Sequence, residues 1–402
     1  MKFENFPIEK KIVNQLINNG IKKPTDIQYK TIKHVLNGED VMAIAPTGTG
    51  KTLAYLIPIL DDLIKEKQRI TSIKSLIFSP TRELAIQIKE QFDKFNPNPN
   101  FKCLNLLGGV EQDDQIKALQ QGVHVLITTP GRMFDLVAQG YVNLNNVKTF
   151  VIDEADLMLD MGFLKDIEDA IRLLPKKRQT LFFTATINKK IKSIAYKVVK
   201  NAIRIQLSKG NPVSKNVQHS VVYVEMDDKR FFLENILKEF NGGKFIVFVR
   251  TKVRAERVQS AMKRVGIDSL VFHGGKDQTQ RMNTLKSFRE LDAGILITTD
   301  LSCRGIDIPN MDYVINYDLP DESENYVHRC GRTGRGTNRG YAISFCSELE
   351  KNLLYQIEDY TGEEIEIYEV DKQEYIEILK ETEDNKYDWK KLMDEESNKE
   401  FW

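Results

Sequence analysis

Short apolar runs alternate with longer polar segments along most of the chain. In the first half the runs are DVMAIA, KSLIFS, VHVLITT, KTFVI and QTLFFT, and segments with helical periodicity such as RELAIQIKEQFDKF separate them. Runs of this length and composition favour buried strands, and strands that alternate with helices are typical of a mostly parallel sheet with helices on both faces. The pattern therefore predicts an α/β domain.

The same rhythm begins again in the second half, with KFIVFV, DSLVFH, AGILITT, DYVINYD and GYAISFC. Between the two series, LSKGNPVSK is polar, contains Gly and Pro and has no period, which is typical of a linker. The length of 402 residues also exceeds what one hydrophobic core usually organises. We therefore expect an N-terminal domain at 1–207, a linker at 208–216 and a C-terminal domain at 217–370.

The last segment, 371–402, has 11 acidic and 6 basic residues, a net charge of −5. We expect a helical or partly disordered acidic tail, which is unsuited to binding RNA.

The whole chain has 58 Lys and Arg and 58 Asp and Glu, so its net charge is zero. A nucleic-acid partner would therefore have to be bound by a local patch of charge. No stretch approaches the roughly 18 apolar residues of a membrane span, so we expect a cytoplasmic protein without membrane contact.

Unusual residues cluster at the ends of the predicted strands. PTGTGKT follows VMAIA, PTREL follows LIFS, TPGR ends VLIT, an acidic cluster follows FVI, and TAT ends LFF. The carboxyl ends of parallel strands lie on one edge of a sheet, where ligands bind in open α/β folds. VRTK, HGG and TTDLSCRGID repeat this arrangement in the second half, so we expect a binding cleft between two such edges.

The segment APTGTGKT has the spacing of a phosphate-binding loop. Its glycines let backbone N–H groups turn towards phosphate oxygens, Lys51 supplies a charge for the β and γ phosphates, and Thr52 can ligate Mg2+. The alternative is an ordinary strand-to-helix turn that happens to carry these letters. The candidate nucleotide-binding residues are Ala45, Pro46, Thr47, Gly48, Thr49, Gly50, Lys51 and Thr52.

The acidic cluster comprises Asp153, Glu154 and Asp156. Beside a phosphate-binding loop, an Asp at the end of a neighbouring strand is placed to hold Mg2+, and the adjacent Glu to deprotonate the attacking water. One alternative is a set of acids that decorates a helix N-terminus. Another is a glycosidase-type carboxylate pair, for which the sequence offers no sugar platform.

These motifs, in this order together with HRCGRTGR, make the chain similar to the DEAD-box ATP-dependent RNA helicases of superfamily 2 over roughly residues 1–365. Its compactness resembles bacterial members such as the RhlE group, although those often carry basic tails. The resemblance implies two tandem RecA-like domains, each a mostly parallel sheet flanked by helices. It also implies ATP and Mg2+ as cofactors and RNA as the partner, and we expect a monomer.

The resemblance also implies individual roles at the ATP site. GIKKPTDIQ resembles the family's Q motif, so Gln28 would bind the adenine edge and Phe3 would stack on the ring, unless Phe3 is simply a packing aromatic. Glu154 would be the general base, Asp153 and Thr52 would hold the metal, and Arg332 and Arg335 would act as arginine fingers. The remaining implied nucleotide contacts are Lys23, Thr25, Gly305 and Asp307.

The resemblance further implies coupling and RNA-binding residues. Those that would couple ATP to domain closure are Asp156, Thr184, Thr186 and His328. Those that would contact the RNA backbone are Arg82, Gly108, Gly109, Thr129, Pro130, Gly131, Arg132, Arg250, Thr251, Gly274, Arg281, Thr299 and Arg304. None offers an obvious base-reading pattern, so we expect sequence-independent binding, with contacts to 2′-OH groups favouring RNA over DNA.

The expected function is an ATP-dependent RNA helicase that binds the RNA backbone between its two domains. It would unwind short duplexes locally and hydrolyse ATP to ADP and phosphate to release the RNA. One alternative is a related DNA helicase or translocase. The other is an ATP-gated RNA clamp or assembly factor that does little unwinding.

Overall fold

The computed structural model describes residues 2–66, 72–187, 189–199, 201–207, 216–306, 308, 311–334 and 339–380. The chain divides into two compact units, the first made of Met1–Gly210 with Gly305–Asp307 and the second of Asn211–Arg304 with Ile308–Trp402. Each unit contains one seven-stranded sheet. All strand pairs in both sheets are parallel, which confirms the predicted fold class of two tandem parallel α/β domains.

The sheet of the first unit has the strand order β3-β4-β2-β5-β6-β1-β7. Its strands are β1 Val41–Ile44, β2 Ser75–Phe78, β3 Cys103–Leu106, β4 Val125–Thr128, β5 Thr149–Ile152, β6 Gln179–Thr184 and β7 Ile203–Gln206. Its helices are α1 Lys10–Asn18, α2 Asp26–Leu36, α3 Lys51–Lys65, α4 Arg82–Phe95, α5 Gln112–Gln120, α6 Pro130–Ala138, α7 Ala155–Asp160, α8 Leu164–Leu173 and α9 Lys189–Val198. Two buried apolar clusters form the core of this unit.

The sheet of the second unit has the order β10-β11-β9-β12-β13-β8-β14, which repeats the first order strand for strand. Its strands are β8 Val217–Tyr223, β9 Lys244–Phe248, β10 Leu270–Phe272, β11 Gly294–Thr298, β12 Tyr313–Asn316, β13 Gly340–Cys346 and β14 Glu366–Ile367. Its helices are α10 Lys229–Glu239, α11 Lys252–Arg264, α12 Gln278–Glu290, α13 Asp300–Cys303, α14 Ser323–Cys330, α15 Lys351–Thr361 and α16 Lys372–Lys380.

The ten predicted strands are all present, but the apolar pattern does not predict β3, β7, β8 and β14. These four strands lie at or beside a sheet edge, where one row of side chains meets solvent and polar residues interrupt the apolar run. Most of the predicted linker and the end of the predicted acidic tail lie outside the described residues. In the part of the chain that the structure describes, every helix is too short or too polar to cross a membrane.

A buried ion cluster ties strand ends together in the second unit. The Lys229 ammonium donates hydrogen bonds to the carbonyl oxygens of Tyr317, at 2.8 Å, and Phe345, at 3.3 Å. It also lies 2.5 Å from Oε2 of Glu350. Burial lowers the pKa of Lys229, and the negative charge of Glu350 opposes that shift. The cation therefore holds the carboxyl ends of β12 and β13 and the start of α15 in one arrangement.

We expect Lys229→Met to destabilise the second unit by about 3–5 kcal/mol, because the buried Glu350 carboxylate would lose its cation. Hydrogen exchange of the β12 and β13 amides measures this loss within that unit. Lys351→Met is the matched control, since the ion pair of Lys351 with Glu348 is at the surface. Equal exchange rates in the two variants would contradict a stabilising role for the Lys229 cluster.

Candidate functional site

The phosphate-binding loop connects β1 to α3 in the first unit. Gly48 and Gly50 have φ angles of +85° and +93°, a backbone conformation that favours glycine. The Lys51 ammonium is buried and donates a hydrogen bond to the carbonyl oxygen of Ala45, at 3.0 Å. Among the described residues, Oγ1 of Thr47 is buried without a hydrogen-bond partner. The loop thus presents a fixed cation and an unsatisfied hydroxyl at the end of β1.

Gln28 joins the predicted adenine-binding segment to this loop. Its Oε1 accepts a hydrogen bond from the Thr25 amide, at 3.0 Å, and its Nε2 donates to the carbonyl oxygen of Gly50, at 3.1 Å. The predicted contact with an adenine edge stays a prediction, and both ends of the Gln28 amide already have partners in the chain. Lys23 is exposed, whereas the ring of Phe3 is buried in the core, so its stacking role also stays a prediction.

The carboxylates of Asp153 and Glu154 lie at the end of β5. Oδ1 of Asp153 accepts a hydrogen bond from the Glu154 amide, at 3.0 Å. Glu154 has a φ of +46°, and its Oε1 lies 3.1 Å from the Lys51 ammonium. Burial raises the pKa of both carboxyls, while the positive charge of Lys51 opposes the rise. The structure therefore brings together Lys51, Asp153 and Glu154, which were all predicted to be catalytic.

Tyr55 is a site residue that the sequence analysis missed. Its hydroxyl donates a 2.7 Å hydrogen bond to Oδ2 of Asp153, and the nearby Thr52 side chain acts to lower the pKa of the phenol. Burial, followed by the charge of Asp153, raises the pKa of Tyr55 well above its usual range, so the phenol stays protonated. The available signal was its position on the predicted helix, three residues beyond Thr52 and thus on the same face. Tyr55 therefore positions Asp153, one of the two residues predicted to hold the metal.

Asp156 holds the TAT segment that follows β6. Its Oδ2 accepts hydrogen bonds from the amides of Ala185, at 3.1 Å, and Thr186, at 3.0 Å. The hydroxyl of Thr186 donates to the same oxygen, at 3.1 Å, and Thr184 Oγ1 donates to the Thr186 carbonyl, at 2.8 Å. Three of the four predicted coupling residues therefore form one hydrogen-bond network within the first unit.

The candidate RNA-binding residues of the first unit lie at the starts of α4 and α6 and in the loop after β3. Gly109 has a φ of +70°, and a Cβ added there would lie under 3.0 Å from three atoms of the Arg82 guanidinium. Arg132 donates a hydrogen bond to the carbonyl oxygen of Val110, at 3.3 Å. The loop is therefore in contact with both arginines, with Arg82 at Gly109 and with Arg132 at the Val110 carbonyl. At the start of α6, the N-cap is Thr129 and the first two helical residues are Pro130 and Gly131.

In the second unit, Ser302 links two of the predicted RNA contacts. Its hydroxyl accepts a hydrogen bond from the Gly274 amide, at 3.0 Å, and lies 3.1 Å from Oγ1 of Thr299. Thr251 caps α11 by accepting a hydrogen bond from the Arg254 amide, at 3.1 Å. Ser302 was missed by the sequence analysis, although it lies within the quoted TTDLSCRGID motif.

The predicted RNA-binding arginines of the second unit already have protein partners. The Arg250 guanidinium contacts Oε1 of Glu350, at 3.2 Å, and Oδ1 of Asp321, at 3.3 Å. Arg281 lies over the ring of Phe272, with its Cζ 5.0 Å from the centroid. Arg304 hydrogen-bonds to Oδ1 of Asn325. An RNA phosphate would have to share or replace these partners, so phosphate binding by these arginines stays a prediction.

The HRCGRTGR motif forms the end of α14 and the loop after it. The guanidinium of Arg329, which the sequence analysis missed, forms a two-pronged ion pair with Asp300, at 2.5 and 2.7 Å. The predicted arginine finger Arg332 donates from Nε to the carbonyl oxygen of His328, at 3.2 Å. Gly305 has a φ of +72°. The predicted ribose contact Asp307 and the second predicted finger Arg335 lie outside the described residues.

Two protein-family models match the chain. The DEAD/DEAH box helicase model matches residues 25–194, and the helicase conserved C-terminal domain model matches residues 228–337. ATP-dependent RNA helicase DbpA of Bacillus subtilis is 35% identical over 374 residues, which cover 93% of this chain and 78% of DbpA. The chain belongs to the DEAD-box ATP-dependent RNA helicases.

This DEAD-box helicase is also similar to ATP-dependent rRNA helicase RRP3 of Candida albicans, at 36% identity over 91% of this chain and 68% of RRP3. Its fold matches the structure of S. cerevisiae Dbp5 bound to RNA and ADP BeF3 with a TM-score of 0.83. That match covers 95% of this chain and 99% of Dbp5, at 28% identity. The predicted family and the two tandem RecA-like domains are confirmed, whereas the roles assigned to single residues stay predictions.

We expect Gly109→Ala to weaken binding of single-stranded RNA by this helicase about tenfold, because a Cβ would displace the Arg82 guanidinium and cost a charged hydrogen bond. Fluorescence anisotropy at fixed salt concentration measures the affinity. Gly140→Ala is the matched control: Gly140 also has a positive φ, but nothing lies within 4 Å of the added Cβ. The prediction is wrong if both variants bind RNA equally well.

Tyr55→Phe should lower the rate of ATP hydrolysis about tenfold, since Asp153 would lose a hydrogen bond of the charged kind. The variant keeps the ring that packs against Phe183, with centroids 5.1 Å apart, so the fold should be preserved. Steady-state ATPase assays at saturating RNA check the effect. Tyr29→Phe, on the exposed face of α2, should leave the rate unchanged. A Tyr55→Phe rate equal to that of the parent chain would show that this bond does not orient Asp153.

Proposed function

We propose that this helicase binds ATP with Mg2+ on the first unit and uses hydrolysis to release RNA that both units bind through its backbone. The observation that carries the proposal is the convergence of Lys51, Asp153 and Glu154 at the phosphate-binding loop. It is supported by the likeness to Dbp5, which was solved with RNA and ADP BeF3. We further propose local unwinding of short duplexes rather than tracking along RNA.

The residues at the loop fit a magnesium ion. The Tyr55 hydroxyl donates to Asp153, and the Thr52 side chain lowers the pKa of the same phenol, so two oxygen donors suited to Mg2+ lie near one hydroxyl. Among the described residues, no group of three or more His, Cys, Asp and Glu side chains could hold a metal alone. Mg2+ is usually bound through one or two carboxylates together with substrate phosphates. When bound, the ion would neutralise charge that develops on the phosphate oxygens.

Glu154 has the environment of a general base. Burial raises the pKa of its carboxyl towards the range in which a base works well, and the positive charge of Lys51 favours its ionised form. We propose that an ATP phosphate draws the Lys51 ammonium towards itself, which leaves Oε1 of Glu154 to accept a proton from the attacking water. Arg332 and Arg335 would stabilise the phosphoryl group in the transition state.

We propose that RNA is bound without regard to its sequence. The candidate contacts are arginines, glycines and threonines at the carboxyl ends of strands, a set that suits sugar-phosphate recognition. Glycine at position 109 lets the Arg82 guanidinium approach the backbone closely, and the same approach suits a phosphate. Salt should therefore weaken binding strongly, whereas a change of base sequence should have little effect.

Glu154→Gln tests the assignment of the general base. We expect ATP and RNA to bind as in the parent chain, while hydrolysis slows by roughly 10² to 10⁴, because the amide cannot accept the proton. Single-turnover hydrolysis and separate binding measurements check both parts. The matched control is Glu90→Gln, on the exposed face of α4, which should hydrolyse ATP normally. Turnover by Glu154→Gln at the parent rate would refute the assignment.

The same variant separates unwinding from clamping. Strand displacement and RNA residence time are measured together, with ATP and with a non-hydrolysable analogue. If the protein is a helicase, the parent chain displaces one strand of a short duplex. Glu154→Gln then retains RNA for longer than the parent chain does. An RNA residence time that is long in the parent chain with ATP, without strand displacement, would favour the clamp instead.

A further inference from the structure

The second unit has an open aromatic groove at the amino ends of its strands. The groove has a volume of about 300 Å³, and its walls include Tyr313, Tyr341 and Phe240. Tyr313 is the first residue of β12 and Tyr341 the second of β13. Two further lining residues, Ser220 and Ile343, lie midway along β8 and β13. The groove therefore covers the amino-terminal half of one sheet face, away from the helicase motifs at the carboxyl ends of the strands.

Aromatic rings pack around Tyr313 in the wall and floor of this groove. The Tyr313 ring lies 4.6 Å from Phe245, 5.5 Å from Tyr341 and 5.1 Å from Phe240. Tyr341 is 41% exposed, and the opposite wall contains Ile367 and Tyr368, which are more than half exposed. Large exposed apolar side chains that cluster in this way mark a surface that binds a partner.

The groove is bordered by acidic residues. Glu366 is part of the wall, and the negative charges of Asp312 and Glu239 add to burial in raising the pKa of Tyr313. A segment that fits the groove should therefore combine aromatic or aliphatic side chains with positive charge.

The chain contains such a segment. Residues 386–393, KYDWKKLM, carry three lysines against one aspartate within a tail that is otherwise acidic. They also carry Tyr387, Trp389, Leu392 and Met393, and the only other tryptophan of the protein is Trp402. The acidic tail thus contains one basic and apolar stretch whose chemistry matches that of the groove.

The connection to α16 brings this segment within reach of the groove. The Tyr375 ring packs against Phe232 of α10, with centroids 4.9 Å apart. Phe240, in the groove wall, caps the C-terminus of α10 and lies eight positions beyond Phe232, which corresponds to about 12 Å of helix rise. Trp389 lies nine residues beyond Lys380, and nine extended residues span up to about 30 Å. The short connection gives the segment a high effective concentration at the groove.

We propose that residues 386–393 dock into the aromatic groove formed by Tyr313, Tyr341, Phe240 and Glu366 of the same chain. Trp389 lies against the tyrosine rings, and Lys390 and Lys391 pair with the acidic border. Because the groove is at the amino end of the sheet, docking leaves the candidate RNA-binding residues of this unit accessible.

The full chain with Trp402→Phe tests the proposal, because Trp389 is then its sole tryptophan. We expect blue-shifted emission from Trp389 and protection from acrylamide. Tyr341→Ala should red-shift the emission and raise the quenching constant about twofold or more, since the indole loses its aromatic partner. Tyr355→Ala, which removes an exposed tyrosine of α15 outside the groove, is the matched control and should change neither quantity.

Charge reversal provides a second test. Glu366→Lys should expose Trp389, and adding Lys390→Glu and Lys391→Glu should restore at least part of its protection. RNA-stimulated ATPase activity should stay at the parent level in all these variants. The proposal is overturned if Trp389 is exposed in the parent chain, or if neither groove variant changes its quenching. Protection that depends on protein concentration would also overturn it, since the occupant would then be a second copy.

Discussion

The ion pair between Lys51 and Glu154 is the constraint on which the ATP site depends. Three carboxylates, Asp153, Glu154 and Asp156, are buried within four residues at the end of one strand, and burial alone would favour their neutral forms. Lys51 offsets this penalty, and its bond to the Ala45 carbonyl fixes the ammonium at the phosphate-binding loop. Asp156 is satisfied separately by the donors of the TAT segment. We infer that a bound phosphate competes with Glu154 for the Lys51 ammonium.

The two sheets share one strand order but use their carboxyl ends differently. In the first unit the strand ends carry the phosphate-binding loop and the carboxylates. In the second unit the corresponding edge is held by internal ion pairs, with Lys229 bound to Glu350 and Arg329 bound to Asp300. Such buried pairs are costly to break, so they fix the loops that bear Arg250 and Thr299. One fold thus supplies a nucleotide site in one copy and a rigid support for candidate RNA contacts in the other.

Much of the fold could be predicted from the sequence, because central parallel strands are buried on both faces and appear as apolar runs. Three of the four edge strands could not, since polar residues interrupt the apolar runs of β3, β7 and β14. Motif spacing indicated Lys51, Asp153 and Glu154, because their chemistry depends on residue type at fixed positions. Tyr55 was missed, since its position on the same helix face as Thr52 does not show whether its hydroxyl meets a carboxylate. The partners of Arg250 were also hidden, because Glu350 is 100 residues away in the sequence.

A parallel sheet has two chemically different ends, and this difference separates the activities of the second unit. Helix N-termini, threonine caps and arginines gather at the carboxyl end, where backbone N–H groups and positive charge suit phosphate. At the amino end the exposed side chains are those of the first strand residues, and here they are tyrosines beside carboxylates. Those carboxylates disfavour RNA at the amino end and favour a basic, apolar peptide. A segment bound in the groove would therefore be recognised by side chains of a different kind from those at the candidate RNA-binding edge.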